Sequence, residues 1–337
     1  MTKSRLPFLL LLAAVLASVP LVLGFLGPLH PFFDAFSHLR VHLSVLMALL
    51  ALPLLFTPLR REGAMVLLLA ITAFGTTFSG TSALFGATAG AQTQAAPGAR
   101  YSLVQINLRY DNPHPKRVLR MIAQEKPDIV TYEEAGDEWN RWLDILKGRY
   151  PYRLHCRKDS DPHIDGVGIL SRRPFSDGSK PTCVGDGLLA MAAVDFGGTS
   201  VNVAALHSPL PWPYGQSQAL DTAASQLQPL KGPTIIAGDF NAVPWSAAVR
   251  RIEATTGTHA IRGIGGSWFP FFLPVKWAPV LGFHIDQIFV DSDILAPKAA
   301  TREDAGSDHL PVRLDFSVPP PVRPDEDQPQ RQQAMAQ

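Results

Sequence analysis

The sequence predicts an α/β domain built of two β-sheets packed face to face and flanked by helices, preceded by three transmembrane helices. Three observations carry this reading. Long uncharged apolar runs fill the first 95 residues. The stretch after residue 100 holds many short strand patterns and fewer helical ones, which suits two sheets with helices outside them. Most of those strands end in a carboxylate, an amide or an imidazole.

The apolar runs are Leu6–Phe33, Val41–Leu59 and Gly63–Gly98. Each is long enough to cross a hydrocarbon core of about 30 Å, which takes roughly 20 helical residues. Lys3 and Arg5 precede the first run, Arg60 and Arg61 fill the turn between the second and third, and the first connection offers only Arg40. The positive-inside rule then makes the N-terminus and the Arg60–Arg61 turn cytoplasmic. Everything after the third span is placed outside the cytoplasm, in a multi-pass protein of the cell membrane. The competing arrangement is a cleaved signal peptide over residues 1–25 with the later runs as core helices. It explains less well why the loop charges fall on the expected sides. The chain accordingly divides into a membrane anchor (1–88), a flexible linker of small residues (89–99), a catalytic domain (100–317) and a disordered tail rich in Pro, Gln and charge (318–337).

Within the domain, Tyr101–Leu108 alternates apolar and polar residues as a strand does, and Asp128–Tyr132 is a short β-branched run ending in acids. Further strands are expected at Gly166–Leu170, Leu188–Phe196, Ser200–Leu206, Thr234–Ala237, Ile285–Val290 and Val312–Phe316. Helical spacing marks His114–Lys126, Glu138–Leu146, Gln216–Leu227 and Ser246–Thr256.

Composition excludes some classes. Two cysteines in 337 residues rule out a Cys-rich zinc module or an iron–sulfur protein, and leave a Cys156–Cys183 bridge open. Five of the 30 Lys and Arg and two of the 29 Asp and Glu lie in residues 1–95, leaving a net charge of −2 over the remainder. Nucleic acid stays a candidate partner that this charge does not favour. No protein partner is inferred.

The residues gathered at strand ends are Asn107, Glu134, His207, Asp239 with Asn241, Asp286, and Asp308–His309. Carboxylates and amides without cysteine suit a hard cation, Mg²⁺ or Mn²⁺, and Mg²⁺ is commonly bound together with substrate phosphate oxygens. These residues stand in blocks that resemble the endonuclease/exonuclease/phosphatase superfamily, in that family's order. The blocks are Gln105-Ile106-Asn107, Pro127 through Glu134 (PDIVTYEE), Asn202 through His207, Gly238-Asp239-Phe240-Asn241, and Ile285-Asp286 followed by Ser307-Asp308-His309. Glu133 replaces a usual Gln, and His284 and Gln287 stand where the family often has Arg and Tyr. The three-span front end, with Asn107–Asn112 and His207–Pro213, is similar to the membrane-anchored bacterial YafD-like branch.

The resemblance implies a four-layer DNase I-like sandwich that hydrolyses phosphate esters with Mg²⁺ or Mn²⁺. It assigns the metal to Glu134, with Asn107 as a ligand or orienter and Asp308 close by. In-line attack on phosphorus needs an activated water and charge neutralisation. Asp239 then accepts the proton of the water, Asn241 holds phosphate or the base, and His207 and His309 donate to phosphoryl oxygens, with Asp286 raising the pKa of His309. Each residue alone has a plain structural reading: Gly, Asp and Asn favour turns, and Glu134 could start a helix. The substrate classes left open are nucleic acid, a phospholipid head group and a small phosphate ester. A catalytically silent binding module tethered to the bilayer is the alternative. The apolar stretches Trp268–Trp277 and Pro211–Tyr214 are either a substrate-facing or membrane-facing lip or, slightly favoured, a loop packed over the sheet edges.

Overall fold

The computed structural model describes residues 5–78, 99–161, 163, 165–270 and 272–319. The expected linker and tail therefore lie almost wholly outside the described residues.

Helix α1 (Leu6–Leu23) runs into a 3₁₀ turn and the short α2 (Pro31–Ala35), followed by α3 (Arg40–Leu54) and α4 (Arg60–Phe78). Three helical segments, Leu6–Leu29, Pro31–Leu54 and Arg60–Phe78, are apolar and long enough to cross a membrane. They pack through a small seam of Leu21, Met47, Ala70 and Ala73, while Leu9, Leu16, Leu49, Met65 and Leu68 project outward. That inside-out distribution is what a lipid solvent selects, since lipid tails and leucine side chains are equally apolar.

The rest of the chain folds as β1 (Arg100–Asn107), α5 (Pro115–Glu125), β2 (Ile129–Glu133), α6 (Asp137–Asp144), β3 (Tyr152–Arg157), β4 (Gly166–Ser171), β5 (Thr182–Val184), β6 (Leu189–Asp195), β7 (Ser200–His207), α7 (Gln216–Leu227), β8 (Thr234–Asp239), α8 (Ala247–Thr256), β9 (His259–Ala260), α9 (Ala278–Leu281), β10 (Asp286–Val290), β11 (Leu295–Thr301) and β12 (Val312–Ser317). Two six-stranded sheets form, in the orders β11-β12-β1-β2-β4-β3 and β5-β6-β7-β8-β10-β9. Leu103, Ile129 and Ile169 meet Val194, Val203, Ile235 and Ile288 between the sheets. Val118, Ile122, Trp139 and Leu143 of α5 and α6 cover the outer face of the first sheet. Leu220, Ala224, Leu227, Val249 and Ile252 of α7 and α8 cover the second. The result is the expected four-layer sandwich. Central strands are buried on both faces, so β2 and β8 read as unbroken buried runs rather than alternating ones.

Cys156 on β3 and Cys183 on β5 are joined by a disulfide, with Cα atoms 5.4 Å apart. It clamps the edge of one sheet to the edge of the other.

The domain is docked onto the N-terminal helices through the stretch from α2 to the first turn of α3. The Asp34 carboxylate accepts from the backbone N–H groups of Ala247 (2.7 Å) and Ala248 (2.9 Å), the first turn of α8. The Ser246 hydroxyl takes the next one, Val249, at 3.1 Å. Three of the donors that a helix N-terminus leaves unpaired are thus satisfied, two of them by a charge from the membrane segment. The Trp245 indole donates to the Ser37 carbonyl at 2.8 Å, and His42 Nε2 meets the Leu281 carbonyl at 2.8 Å.

Candidate active site

Two parallel pairings bring the functional side chains to one edge. β1 runs parallel to β2, placing Asn107 opposite Glu133, and β7 runs parallel to β8, placing His207 opposite Asp239. β10 is antiparallel to β8 and starts where β8 ends, so Asp286 also pairs with Asp239. Asp239 thereby sits between His207 and Asp286. The loop ahead of β12 delivers Asp308 and His309 to the same place, held by the Ser307 hydroxyl donating to the Asn107 carbonyl (2.8 Å). All eight residues expected from the sequence therefore converge there.

Asp239 is the hub and is 2% exposed. Its Oδ1 accepts from the Asn241 backbone N–H (2.9 Å) and its Oδ2 from Asn107 Nδ2 (3.1 Å). The same Oδ2 lies 3.7 Å from His309 Nε2 and 3.9 Å from His207 Nε2. Burial pushes this carboxyl up to about 6, against the pull of the nearby imidazoles. Gly238 carries no side chain because a Cβ there would collide with the Leu206 carbonyl, so β8 and β7 approach closely just before the hub.

Each imidazole is backed by its own carboxylate. His309 Nδ1 is 2.8 Å from Asp286 Oδ2. His207 Nδ1 is 3.0 Å from Asp165 Oδ1, and Asp165 Oδ2 is 3.0 Å from Lys158 Nζ. Burial alone would lower both imidazoles, but Asp286 with Asp239, and Asp165 with Asp239, outweigh it and push each up to about 10. Burial would also raise Asp165, but His207 and Lys158 hold it down at about 2.

Behind the dyad, Gln105 Nε2 donates both to Asp286 Oδ1 (2.8 Å) and to Glu133 Oε2 (2.9 Å). Burial and the neighbouring Asp286 charge drive Glu133 well above the usual carboxylate range. A neutral carboxylic acid has the shape of an amide. This explains how Glu133 fills the place where the resemblance expects Gln.

Glu134 accepts from Asn107 Nδ2 (2.8 Å) and from the Tyr110 backbone N–H (3.2 Å). Its backbone is left-handed (φ 53°), as is that of Asn241 (φ 45°). Non-glycine residues held there are strained, and such strain gathers at functional sites. One oxygen each of Glu134 and Asp239 and one nitrogen of His207 lie within 4.8 Å of one another; Asp239, Asp286 and His309 form a second such group. In the second group the His309–Asp286 hydrogen bond already occupies the pair. The first group, with two carboxylates and no thiol, fits a hard divalent cation.

Two of the expected metal residues stand differently in the geometry. Asn107 turns its N–H₂ toward Glu134 and Asp239 while its oxygen accepts from the Arg109 backbone N–H (2.9 Å), so it orients the carboxylates. Asp308 falls in neither ion-sharing group, and its Oδ2 accepts from the Trp268 indole at 3.2 Å. The Asn241 side chain donates to the Ser208 carbonyl (3.0 Å), so its hold on the site passes through its backbone N–H to Asp239. Asp165, Lys158 and the Trp268 indole were not anticipated. Asp165 carries a usable signal, an acid directly before the apolar strand β4.

These groups line a cavity of about 730 Å³, whose remaining walls include Leu188, Leu210, Pro211, Phe283 and Ile285, together with His38 from the anchor. Of the stretch Trp268–Trp277, Trp268 packs on Phe283 (ring centroids 5.7 Å apart), whereas Phe272 is 73% and Trp277 50% exposed. The favoured expectation of a loop packed over the sheet edges thus holds for the half-buried Trp268, Phe269 and Pro270 and not for Phe272 and Trp277; Phe271 lies outside the described residues.

The profile of the endonuclease/exonuclease/phosphatase family matches residues 104–309. The chain belongs to this family. Its members are metal-dependent phosphoester hydrolases. Among solved structures, the fold is similar to an endonuclease/exonuclease/phosphatase protein from Bacteroides vulgatus (17% identity, TM-score 0.54, covering 66% of this chain and 100% of that one). It is likewise similar to an AP endonuclease from Archaeoglobus fulgidus (15%, TM-score 0.51, 65% and 100%). A beta toxin mutant from Staphylococcus aureus with bound magnesium ions shares the fold too (19%, TM-score 0.50, 65% and 100%). No curated protein matches the sequence.

Proposed function

We propose that the protein is a membrane-anchored phosphoesterase dependent on Mg²⁺ or Mn²⁺, which hydrolyses phosphodiester or phosphomonoester bonds by in-line attack of water. The observation that carries this is the buried Asp239 carboxylate within 4 Å of two imidazoles, each paired to a separate acid. A silent binding module has no need for such tuning.

Glu134 would hold the ion beside Asp239, with Asn107 orienting both carboxylates. Bound there, a divalent ion neutralises charge on the phosphoryl group and on the leaving oxygen. Asp239, raised to about 6, is a carboxylate at neutral pH and basic enough to take the proton of the attacking water. His309 and His207, raised to about 10, are imidazolium at that pH and donate through Nε2 to the phosphoryl oxygens as charge builds. Asp286 and Asp165 fix each ring through Nδ1, leaving Nε2 to face the substrate.

The N-terminus is assigned to the cytoplasm and the domain to the extracytoplasmic side. Support comes from the Lys3, Arg5 and Arg60–Arg61 charges and from the disulfide, a linkage that persists in oxidising compartments. Residues 1–88 act as the anchor, 89–99 as a linker, 100–317 as the catalytic unit and 318–337 as a tail. The test is a hydrolysis panel with the full chain in Mg²⁺, Mn²⁺ or EDTA. Substrates are bis-p-nitrophenyl phosphate, plasmid DNA, sphingomyelin and inositol phosphates, with Asp239→Asn as the blank. Metal-dependent hydrolysis that falls by about 10²–10⁴ in Asp239→Asn is expected. Turnover that survives either EDTA or Asp239→Asn overturns the assignment.

A further inference from the structure

The hydrogen bonds to the N-terminal helices bring the cavity beside the ends of segments apolar enough to cross a membrane. His38, two residues before α3 begins, lines the cavity itself and approaches the Asn241 carbonyl at 3.0 Å. His42, in the first turn of α3, holds the Leu281 carbonyl and packs with its ring tilted, 5.0 Å from that of Phe283, another wall of the cavity. Helix α9 is thus level with the start of a membrane-spanning helix, and its Val280 and Leu281 are 71% and 50% exposed. On the opposite side of the mouth, Trp212 packs against Phe32 of α2 at 5.0 Å while staying half exposed beside Leu210 and Tyr214. Two apolar patches, or lips, one touching α2 and one touching α3, thus stand near the cavity beside the second apolar helical segment. Tryptophan with aliphatic neighbours is the composition that favours a membrane–water boundary.

The cavity walls point the same way. Lys158 is the only Lys or Arg lining the cavity among the described residues, and it is ion-paired to Asp165 at 3.0 Å. A polyanion running through would find little to neutralise its phosphates. Leu188, Leu210, Pro211, Phe283 and Ile285 instead offer an apolar channel from the imidazoles to the lips.

We infer that the substrate is a phosphate ester carried by a membrane lipid, drawn sideways from the leaflet with its phosphate on His207 and His309, within reach of Asp239, and its apolar portion along the lips. This inference rests on the phosphoesterase reading and narrows it to one substrate class.

The experiment uses the full chain in nanodiscs with Mg²⁺ and compares four substrates: phosphatidylethanolamine with phosphatidylglycerol, a polyprenyl monophosphate, plasmid DNA, and soluble bis-p-nitrophenyl phosphate. The two lipid arms distinguish a bilayer phosphodiester from a lipid-carrier monoester. The variant is Phe272→Asp with Val280→Asp, at lip positions outside the cavity lining. Hydrolysis of at least one lipid is expected, falling at least tenfold in the variant, with turnover of the soluble diester unchanged. The inference is overturned if lipids are untouched, or hydrolysed regardless of the lip charges, while the soluble diester or DNA is cleaved; the phosphoesterase reading then stands. Equal loss on lipid and soluble substrates also overturns it. Failure to cleave any substrate refutes the phosphoesterase reading, and the lips are then judged by quenching of tryptophan fluorescence with acyl-brominated phospholipids. Quenching that weakens in Trp277→Phe supports immersion of the lips, and its absence refutes it.

Discussion

Replacing Asp34 by Ala tests whether the anchor and the catalytic domain form one mechanical unit. The Asp34 carboxylate is 8% exposed and accepts two backbone N–H groups, at 2.7 and 2.9 Å, from the first turn of α8. A hydrogen bond to a charged group contributes about 1.5–3 kcal/mol, and losing an N-terminal cap costs about 0.5–2 kcal/mol. Water partly replaces the lost acceptor, and Ser246 still holds the Val249 N–H. A destabilisation of about 3 kcal/mol is the expected outcome, which lowers the Tm of a domain this size by roughly 6–12 °C. Asp34→Asn keeps one acceptor oxygen without the charge and should lose about half of that. Thermal unfolding of the full chain in nanodiscs, followed by intrinsic fluorescence, measures both. A shift below about 2 °C for Asp34→Ala, or equal losses for the two variants, would refute the double cap and with it the rigid joint.

Four further outcomes are expected. The rate should fall as pH drops through about 6, where Asp239 gains a proton, and again above about 10, where His207 and His309 lose theirs. The same raised imidazoles stabilise the fold below their ordinary value of 6.5 and cease to do so as pH rises through about 10, whereas Asp165 stabilises it above 3.8 until pH falls through about 2; a kcat/KM profile and a Tm profile over pH check both. Asp165→Asn removes the charge that supports His207 while keeping an acceptor. It should cost about 10- to 100-fold in kcat and move the alkaline limb to lower pH, and an unmoved limb would count against the His207 assignment. Gly238→Ala forces β8 away from the Leu206 carbonyl and should abolish turnover while far-ultraviolet circular dichroism stays near wild type; an active variant would show that the hub tolerates the shift.

The central strands could be read from the sequence because burial on both faces leaves unbroken apolar runs, as at Thr234–Asp239. The edges could not. β3 (YRLHCR) is half exposed and shows neither a run nor a clean alternation; pairing with β4 and the disulfide make it a strand. β9 and β11 are edge strands of the same kind, one only two residues long and the other interrupted by Pro297, where its register against β12 shifts. In the site, strand-end polar residues announced themselves because such groups sit badly in a buried sheet unless used. Gln105, two residues before Asn107 and so on the same face of β1, stood in the first-strand block without a role, and only the fold shows it bridging Asp286 and Glu133. Asp165 was likewise hard to place, since its role depends on a histidine 42 residues away that only the sheet order brings near. Asp34 was hidden altogether: in sequence it is a lone acid in an apolar stretch, and only the fold reveals that it feeds a helix N-terminus more than 200 residues on.

The joint at Asp34, Ser37 and His42 acts as a ruler. How far the reaction centre stands from the apolar N-terminal helices is set by hydrogen bonds between folded parts, not by the number of residues from 79 to 98. Lengthening that stretch by a few glycines should leave the enzyme's reach unaltered, while breaking the joint would turn a fixed instrument into one that drifts.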